Sequence, residues 1–246
     1  MTGTTYDQQA AEDYRAAREI PRAGLDSWRR AIAAETALAP GMTVLDVGAG
    51  TGGFATAFHD WFGVRVLAVE PAEAMRALIP ASDGIEVLDG SAEALPVADG
   101  AADAAWLGSV LHHLTDLHTA ARELRRALKP GAPVLIRNAF PGRCEQDLRV
   151  KFFPETARLV DGYPSVDRVC AAFGAAGFRQ VSLRSLPQRN AATLTAFADG
   201  LRRDADSKLR ALSDDQYSAG IARLRAAAAA DPSAPADSWM DLLVLS

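Results

Sequence analysis

A glycine-rich turn between a predicted strand and a predicted helix could hold a nucleotide. Residues 44–54 read VLDVGAGTGGF. The largely β-branched run Met42–Val47 follows a Pro-Gly breaker and predicts a buried strand, while Phe54, Phe58 and Trp61 recur at helical spacing. Glycine adopts backbone dihedrals closed to other residues and lets a ligand approach the main chain. The helix start adds free N–H groups, so the turn predicts a nucleotide-sized site.

The acids around this turn bear on which nucleotide it would hold. Gly48, Gly50 and Gly53 satisfy the G-x-G-x-x-G pattern of dinucleotide-binding folds. Asp46, two residues before the first glycine, would repel a pyrophosphate but attract an ammonium group. Glu70 ends the second predicted strand, where it could accept hydrogen bonds from ribose hydroxyls in either kind of site. These residues favour a nucleotide that carries an amino-acid moiety, with an NAD-type oxidoreductase as the alternative.

Strand and helix patterns alternate from residue 41 onward and predict the scaffold of this site. We expect strands at 42–47, 64–70, 85–88, 104–108 and 133–138, a sixth at 178–186 and a last at 239–245. Alternation of this kind implies right-handed crossovers and a parallel sheet. Residues 1–40 predict an N-terminal helical cap on an α/β domain of residues 41–246. Residues 139–164 (the first insertion) and 190–230 (the second insertion) are expected to form a lid and pocket wall, or else to serve local packing or dimer contact.

Composition narrows the classes of function. The 246 residues contain 26 basic and 31 acidic side chains, a net charge of −5 that disfavours a nucleic-acid surface. No apolar run approaches the length needed to span a bilayer, and the two cysteines have no metal-like pairing. We therefore expect a soluble cytoplasmic protein, monomeric or homodimeric, without a nucleic-acid or membrane partner.

Three further motifs follow the glycine turn at characteristic spacing: DGSAEALP at 89–96, DAAWLGSVLHHL at 103–114 and LRRALKPGA at 124–132. Together these motifs resemble the class I S-adenosylmethionine-dependent methyltransferases, in particular the small-molecule, ubiquinone-type (methyltransferase-11-like) branch. The resemblance implies a Rossmann-like seven-stranded sheet of order 3-2-1-4-5-7-6, whose last strand is antiparallel, with helices on both faces. It also implies S-adenosylmethionine as methyl donor and S-adenosylhomocysteine as product.

The resemblance also assigns the donor contacts. Asp46 and the glycine backbone would hold the methionine part, and Glu70 the ribose. Many relatives carry Gly-Asp-Ala after the third strand, whereas this chain has Ser91 in place of the acid, with Asp89 or Glu93 as substitutes. The implied donor-binding residues are Tyr14, Arg18, Asp46, Gly48, Ala49, Gly50, Gly52, Glu70, Pro71, Met75, Ser91, Ala92, Glu93 and Ser109.

His112 is the first candidate for a catalytic residue. It follows the fourth predicted strand, near the expected position of the methyl group, and imidazole exchanges protons near neutrality. The alternative is that it packs against the next helix or caps it. Tyr6 and Tyr14 are further candidates, and a dyad of His59 with Asp26 is weighed against a purely structural His59. His112, His113 and His118 do not share one helical face, so no metal site is expected.

These features predict transfer of a methyl group to a small-molecule acceptor. The accepting atom is oxygen, nitrogen or an activated carbon such as that of an indole or another aromatic ring, and the setting is specialised metabolite biosynthesis. A non-catalytic S-adenosylmethionine-binding protein and an NAD(P)-dependent oxidoreductase remain as alternatives. The chain lacks the Asp/Asn-Pro-Pro-Tyr/Phe string that clamps nitrogen acceptors in nucleic acids and proteins.

Overall fold

The computed structural model describes Gln8, Ala11, Glu12, Arg15 and residues 21–204 and 206–246. Tyr6, Tyr14 and Arg18 lie outside the described residues, so their expected roles stay predictions.

A seven-stranded sheet of order 3-2-1-4-5-7-6 forms the centre of the fold. The first five strands pair in parallel, and β7 runs antiparallel between β5 and β6. This architecture confirms the predicted fold class. The strands are β1 Thr43–Val47, β2 Arg65–Val69, β3 Ile85–Leu88, β4 Ala104–Gly108, β5 Val134–Asn138, β6 Gln180–Ala191 and β7 Ala236–Leu245.

Helices cover both faces of this sheet and fill the connections. The α-helices are α1 Asp26–Glu35, α2 Gly53–Phe62, α3 Glu73–Arg76, α4 Leu117–Ala127, α5 Leu148–Phe152, α6 Ala157–Asp161, α7 Val166–Ala175, α8 Leu194–Gly200, α9 Ser207–Arg210 and α10 Asp214–Ala230. Short 3-10 turns lie at Arg22–Leu25, Leu111–His113 and Pro154–Thr156. No helix in the described part of the chain is long and apolar enough to cross a bilayer.

Two apolar cores lie on opposite faces of the sheet because side chains alternate along each strand. Leu45 and Leu107 point into a core shared with α4 and α7. Val44 and Trp106 point the other way, where they pack with α1 and α2. Asp46 lies on the same face of β1 as Val44, so the chain places this carboxyl among apolar side chains at the end of a central strand.

The outer strands are longer than the sequence pattern predicts. The pattern suggested an end at Leu186, before Pro187, but β6 continues to Ala191 and Pro187 pairs with Trp239 of β7. Because β6 is an edge strand, the proline nitrogen can face away from the sheet without the loss of a ladder hydrogen bond. The Pro187 carbonyl accepts a hydrogen bond from Ser27 Oγ at 2.5 Å. The outer wall of the fold is therefore tied to α1.

The two insertions pack against each other around a third apolar core. Phe152 and Phe153 of the first insertion meet Leu194, Phe197 and Leu224 of the second. A capping box of Ser213 with Gln216 starts α10, the longest helix among the described residues. Phe152 and Phe153 thus pack within this third apolar core, here called the insertion core.

Candidate active site

The glycine loop after β1 is held open by left-handed backbone conformations. Gly48, Gly50 and Gly52 have φ angles of 72°, 57° and 82°. A Cβ atom at Gly48 would lie 2.6 Å from Val110 Cγ2, so glycine is needed there for both dihedral and space. The N–H groups of Gly48 and Ala49 donate to the Val69 carbonyl at 2.8 and 3.0 Å. The loop is therefore fixed against the carboxyl end of β2.

Glu70 joins the loops that follow β1 and β2. Its Oε2 accepts from the Gly50 N–H and its Oε1 from the Ala72 N–H, both at 2.9 Å. The side chain is 8% exposed. Each carboxylate oxygen has a second lone pair available for a ribose hydroxyl. The position is compatible with the ribose contact that the resemblance implied.

Asp46 is a buried carboxyl at the edge of the glycine loop. Its Oδ2 has no hydrogen-bond partner within the described residues. Burial, together with the nearby negative charge of Glu70, raises the pKa of Asp46 to about 7, and a hydrogen bond from the Ala55 N–H offsets only part of this rise. Trp106, its register partner on β4, has a buried Nε1–H that likewise finds no acceptor in the described part of the chain. A cationic ligand group would satisfy the Asp46 carboxylate.

The remaining expected donor contacts lie beside β2 and β3. Met75 and Ala92 are buried, while Glu93 Oε1 accepts from the Thr115 N–H at 2.9 Å. Asp89 pairs with Arg76 at 2.9 Å. Both substitutes for the missing adenine acid therefore already bind protein groups. Glu70, Pro71, Met75, Ser91, Ala92 and Glu93 do not line the main cavity described below.

Ser109 and Arg137 connect the ends of β4 and β5. Ser109 has a φ of 60°, the one positive φ among the described residues other than glycine. Its N–H donates to the Arg137 carbonyl at 2.7 Å, and its Oγ accepts from Arg137 Nη1 at 3.0 Å. The guanidinium lies 5.3 Å from the ring centre of Trp28 and 5.4 Å from that of Phe54, and donates to Gln188. Sequence reasoning missed Arg137, although an arginine inside the apolar strand VLIRN is a signal for it.

His112 lies in the 3-10 turn after β4 and faces the same cavity as Ser109. Its imidazole stacks on the Tyr163 ring of the first insertion, with ring centres 4.3 Å apart and planes 9° apart. Tyr163 is therefore a contact of the candidate base that the sequence pattern did not reveal. His59 and Asp26 have other partners: His59 Nδ1 is 2.9 Å from the Val64 carbonyl, and Asp26 binds arginines of its own helix.

A cavity of about 720 Å³ extends from the glycine loop to the two insertions, within the size range of small-molecule sites. Asp46 and Gly48–Gly52 line one end, and Ser109, His112 and Tyr163 lie along it. Charged side chains of both insertions line it as well, namely Asp147, Arg149, Asp206 and Lys208. Among the described residues, no group of three or more His, Cys, Asp or Glu side chains is arranged to hold a metal ion.

The sheet order and the glycine loop at the switch point between β1 and β4 define the class I methyltransferase fold. Residues 45–136 match the family described as a methyltransferase domain. The chain is thus similar to methyltransferase domains over residues 45–136, and its sheet has the strand order of that fold.

Three similar proteins extend this comparison. An uncharacterized methyltransferase of Mycobacteroides abscessus is 32% identical over 144 residues, covering 55% of this chain and 54% of the relative. A demethylmenaquinone methyltransferase of Symbiobacterium thermophilum is 25% identical over 211 residues, covering 72% of this chain and 84% of the relative. A crystal structure of a proposed methyltransferase from an antibiotic biosynthesis pathway of Anabaena variabilis has a TM-score of 0.69 at 18% identity, covering 93% and 98% of the two chains. The chain spans about half the length, or less, of the first curated relatives that it matches.

Proposed function

We propose that this protein transfers a methyl group from S-adenosylmethionine to a small-molecule acceptor. One observation carries the proposal: a cavity begins at a buried carboxylate oxygen of Asp46 that has no hydrogen-bond partner among the described residues, and it continues past His112 into space between the insertions. The demethylmenaquinone enzyme, whose name gives a small-molecule acceptor, supports the choice of acceptor class.

The residues present fit the donor. The Asp46 carboxylate would bind its ammonium group, the Gly48–Gly52 backbone would surround the methionine part, and Glu70 would accept from the ribose hydroxyls. When bound, S-adenosylmethionine supplies a methyl group that its sulfonium already activates. The chain's own task is then to align the acceptor atom and to exclude water, a proximity effect worth several kcal/mol.

His112 is proposed to take a proton from the acceptor where the accepting atom carries one. Its imidazole faces the cavity, and Tyr163 stacks on one of its faces and limits its rotation. Carbon, nitrogen and oxygen acceptors all remain compatible with this arrangement. The setting proposed for this activity is specialised metabolite biosynthesis.

The open cavity also bears on the alternative of donor binding without catalysis. Donor binding without catalysis would be favoured if the insertions filled the space where an acceptor must bind. Instead the cavity extends along both insertions, where it is lined by Tyr163, Arg149 and Lys208. This space supports an enzyme over a binding protein.

Parallel calorimetric titrations with S-adenosylhomocysteine, S-adenosylmethionine and NAD test the proposal. We expect micromolar binding of the first two and no heat from NAD. Glu70→Ala should weaken S-adenosylhomocysteine binding by about 1.5–3 kcal/mol, because the ribose would lose a charged hydrogen-bond acceptor. Glu73→Ala, an exposed acid on α3, is the matched control. Binding of NAD alone would overturn the proposal, and a mass-shift screen for acceptors would follow the expected result.

A further inference from the structure

Four charged residues of the two insertions form a reciprocal cluster, here called the insertion cluster: Asp147, Arg149, Asp206 and Lys208. Arg149 Nε donates to Asp206 Oδ2, and Lys208 Nζ donates to Asp147 Oδ2 at 2.9 Å. Each aspartate also accepts from a backbone N–H at the start of its own helix, Arg149 N at 2.8 Å and Lys208 N at 3.0 Å. Asp-x-Arg and Asp-x-Lys thus pair crosswise between α5 and α9.

The insertion cluster is almost entirely removed from solvent, yet it lines the cavity. Its members are 1–8% exposed, and all four belong to the cavity wall. Burial alone would raise the pKa of Asp147, but Lys208 and Arg149 more than offset it, so this pKa is lowered and the carboxylate stays charged. Buried charges are costly, and packed apolar residues can often replace such pairs without loss of stability. Their position on a cavity wall points to a role in ligand binding.

The hydrogen bonds within the insertion cluster leave donors, rather than acceptors, available to a ligand. All four carboxylate oxygens already accept a hydrogen bond. Arg149 uses only its Nε, and Lys208 uses one N–H, so the terminal guanidinium nitrogens and the rest of the ammonium group have no hydrogen bond to a described residue. A complementary ligand group must therefore accept hydrogen bonds.

The charge of the whole cavity favours the same kind of ligand. Its described lining contains six lysine or arginine side chains against three aspartates, although the chain as a whole has a net charge of −5. Arg137 of β5 is one of these basic side chains. A cleft lined by one sign of charge concentrates ligands of the opposite sign.

Resting on the proposed function, we propose that the methyl acceptor carries a carboxylate, and that Arg149 and Lys208 bind this group at the insertion cluster. The acceptor atom would then lie toward His112, and the carboxylate would fix its orientation. Arg149 can offer its two terminal nitrogens to one carboxylate, while Lys208 adds a point charge. Arg149 and Lys208 would thus determine which acceptors bind, and neither would take part in proton transfer.

Benzoate and its neutral isostere benzamide test this proposal on the full chain with S-adenosylhomocysteine present. Calorimetric titration should show benzoate binding at least about tenfold more tightly than benzamide, as expected for a charge-assisted contact. Lys208→Gln should remove about tenfold or more of the benzoate affinity. Lys129→Gln, whose lysine binds Asp103 at 2.6 Å outside the cavity, should leave it unchanged. Equal affinity for the two probes in the wild type would overturn the proposal without any variant.

Asp147→Asn separates ligand binding from a purely structural role. Asparagine still caps α5, but it removes the carboxylate that competes for Lys208. Benzoate should then bind several-fold more tightly even though the protein melts at a lower temperature, whereas a purely structural cluster predicts weaker binding. The S-adenosylhomocysteine titration distinguishes the two proposals. Donor binding without preference for benzoate overturns only the carboxylate proposal. Benzoate preference without donor binding overturns the proposed function and leaves the insertion cluster as a carboxylate site on a protein that is not a methyltransferase.

Discussion

Replacing Asp46 by asparagine should remove a pH dependence from the stability of the ligand-free protein. Burial and Glu70 raise the pKa of this carboxyl from 3.8 to about 7 in the folded state. Because the folded state has the higher pKa, it binds this proton more tightly than the unfolded state does. Protonation of Asp46 therefore stabilises the fold fully below pH 3.8, and this stabilisation is lost as the pH rises to about 7. At about 1.36 kcal/mol per pKa unit, the ionised carboxyl costs the fold about 4 kcal/mol, of which about 2 kcal/mol appears between about pH 5.5 and 7.

Urea unfolding of the wild type and Asp46→Asn at about pH 5.5 and about pH 8 measures this effect. The free energy of unfolding of the wild type relative to the variant should fall by about 2 kcal/mol across that interval, and any constant cost of the buried amide cancels in the difference. Curves that run parallel at both pH values would refute the reasoning, since the folded carboxyl would then not titrate near neutrality. Affinity of the wild type for S-adenosylhomocysteine should rise nearly tenfold from about pH 6 to about pH 8, because only the ionised form attracts the ammonium group. The variant should show no such rise.

Two further changes probe the candidate base and the insertion core. His112→Ala should lower kcat by about a hundredfold or more while the affinity for S-adenosylhomocysteine stays within a few-fold, as expected for a general base. His118→Ala, on the exposed side of α4, is the control. Unchanged turnover of His112→Ala would mean that His112 is structural. Gly220→Ala should destabilise the protein by about 1–3 kcal/mol, because its Cβ would lie 2.0 Å from Phe153 Cδ1. Gly174→Ala in α7 should instead stabilise the protein by about 0.5–1 kcal/mol, because the added Cβ would have no neighbouring atom within 4 Å among the described residues. Melting temperatures of the two variants that shift in the same direction would contradict this packing.

Local patterns were sufficient for the inner part of the sheet. β3 and β4 begin and end at the predicted residues, β1 and β5 begin one residue later, and β2 is shorter by one residue at each end. Apolar runs bounded by glycine and proline determine such buried strands. The extension of β6 past Pro187 depends on its position at the sheet edge, which a local pattern does not contain. The position of Asp46 beside the glycine loop was also predictable, because Asp46 lies just before that loop in the sequence.

Contacts between distant segments account for what the sequence pattern did not predict. Arg149 and Asp206 are 57 residues apart, and each reads locally as a polar residue near a helix start. Their burial results from the packing of two insertions against each other, which depends on the apolar core around Phe153 and Leu224. The contact of Tyr163 with His112 has the same origin. The proposed acceptor side of the site is thus a tertiary feature, whereas the proposed donor side is largely encoded in one loop.

The unequal lengths of the outer strands bear on how this fold can diversify. β7 pairs with β5 only at residues 241–245, but with β6 it continues to Ala236, so a two-stranded ribbon projects past the end of the central sheet. Gln188, Asn190, Ser238 and Met240 of this ribbon line the cavity. Its main-chain ladder is independent of side-chain identity, so mutations here can change which compounds are accepted while β1–β5 and the glycine loop keep their geometry. Descendants of one ancestral chain could in this way acquire new acceptors and retain a common donor.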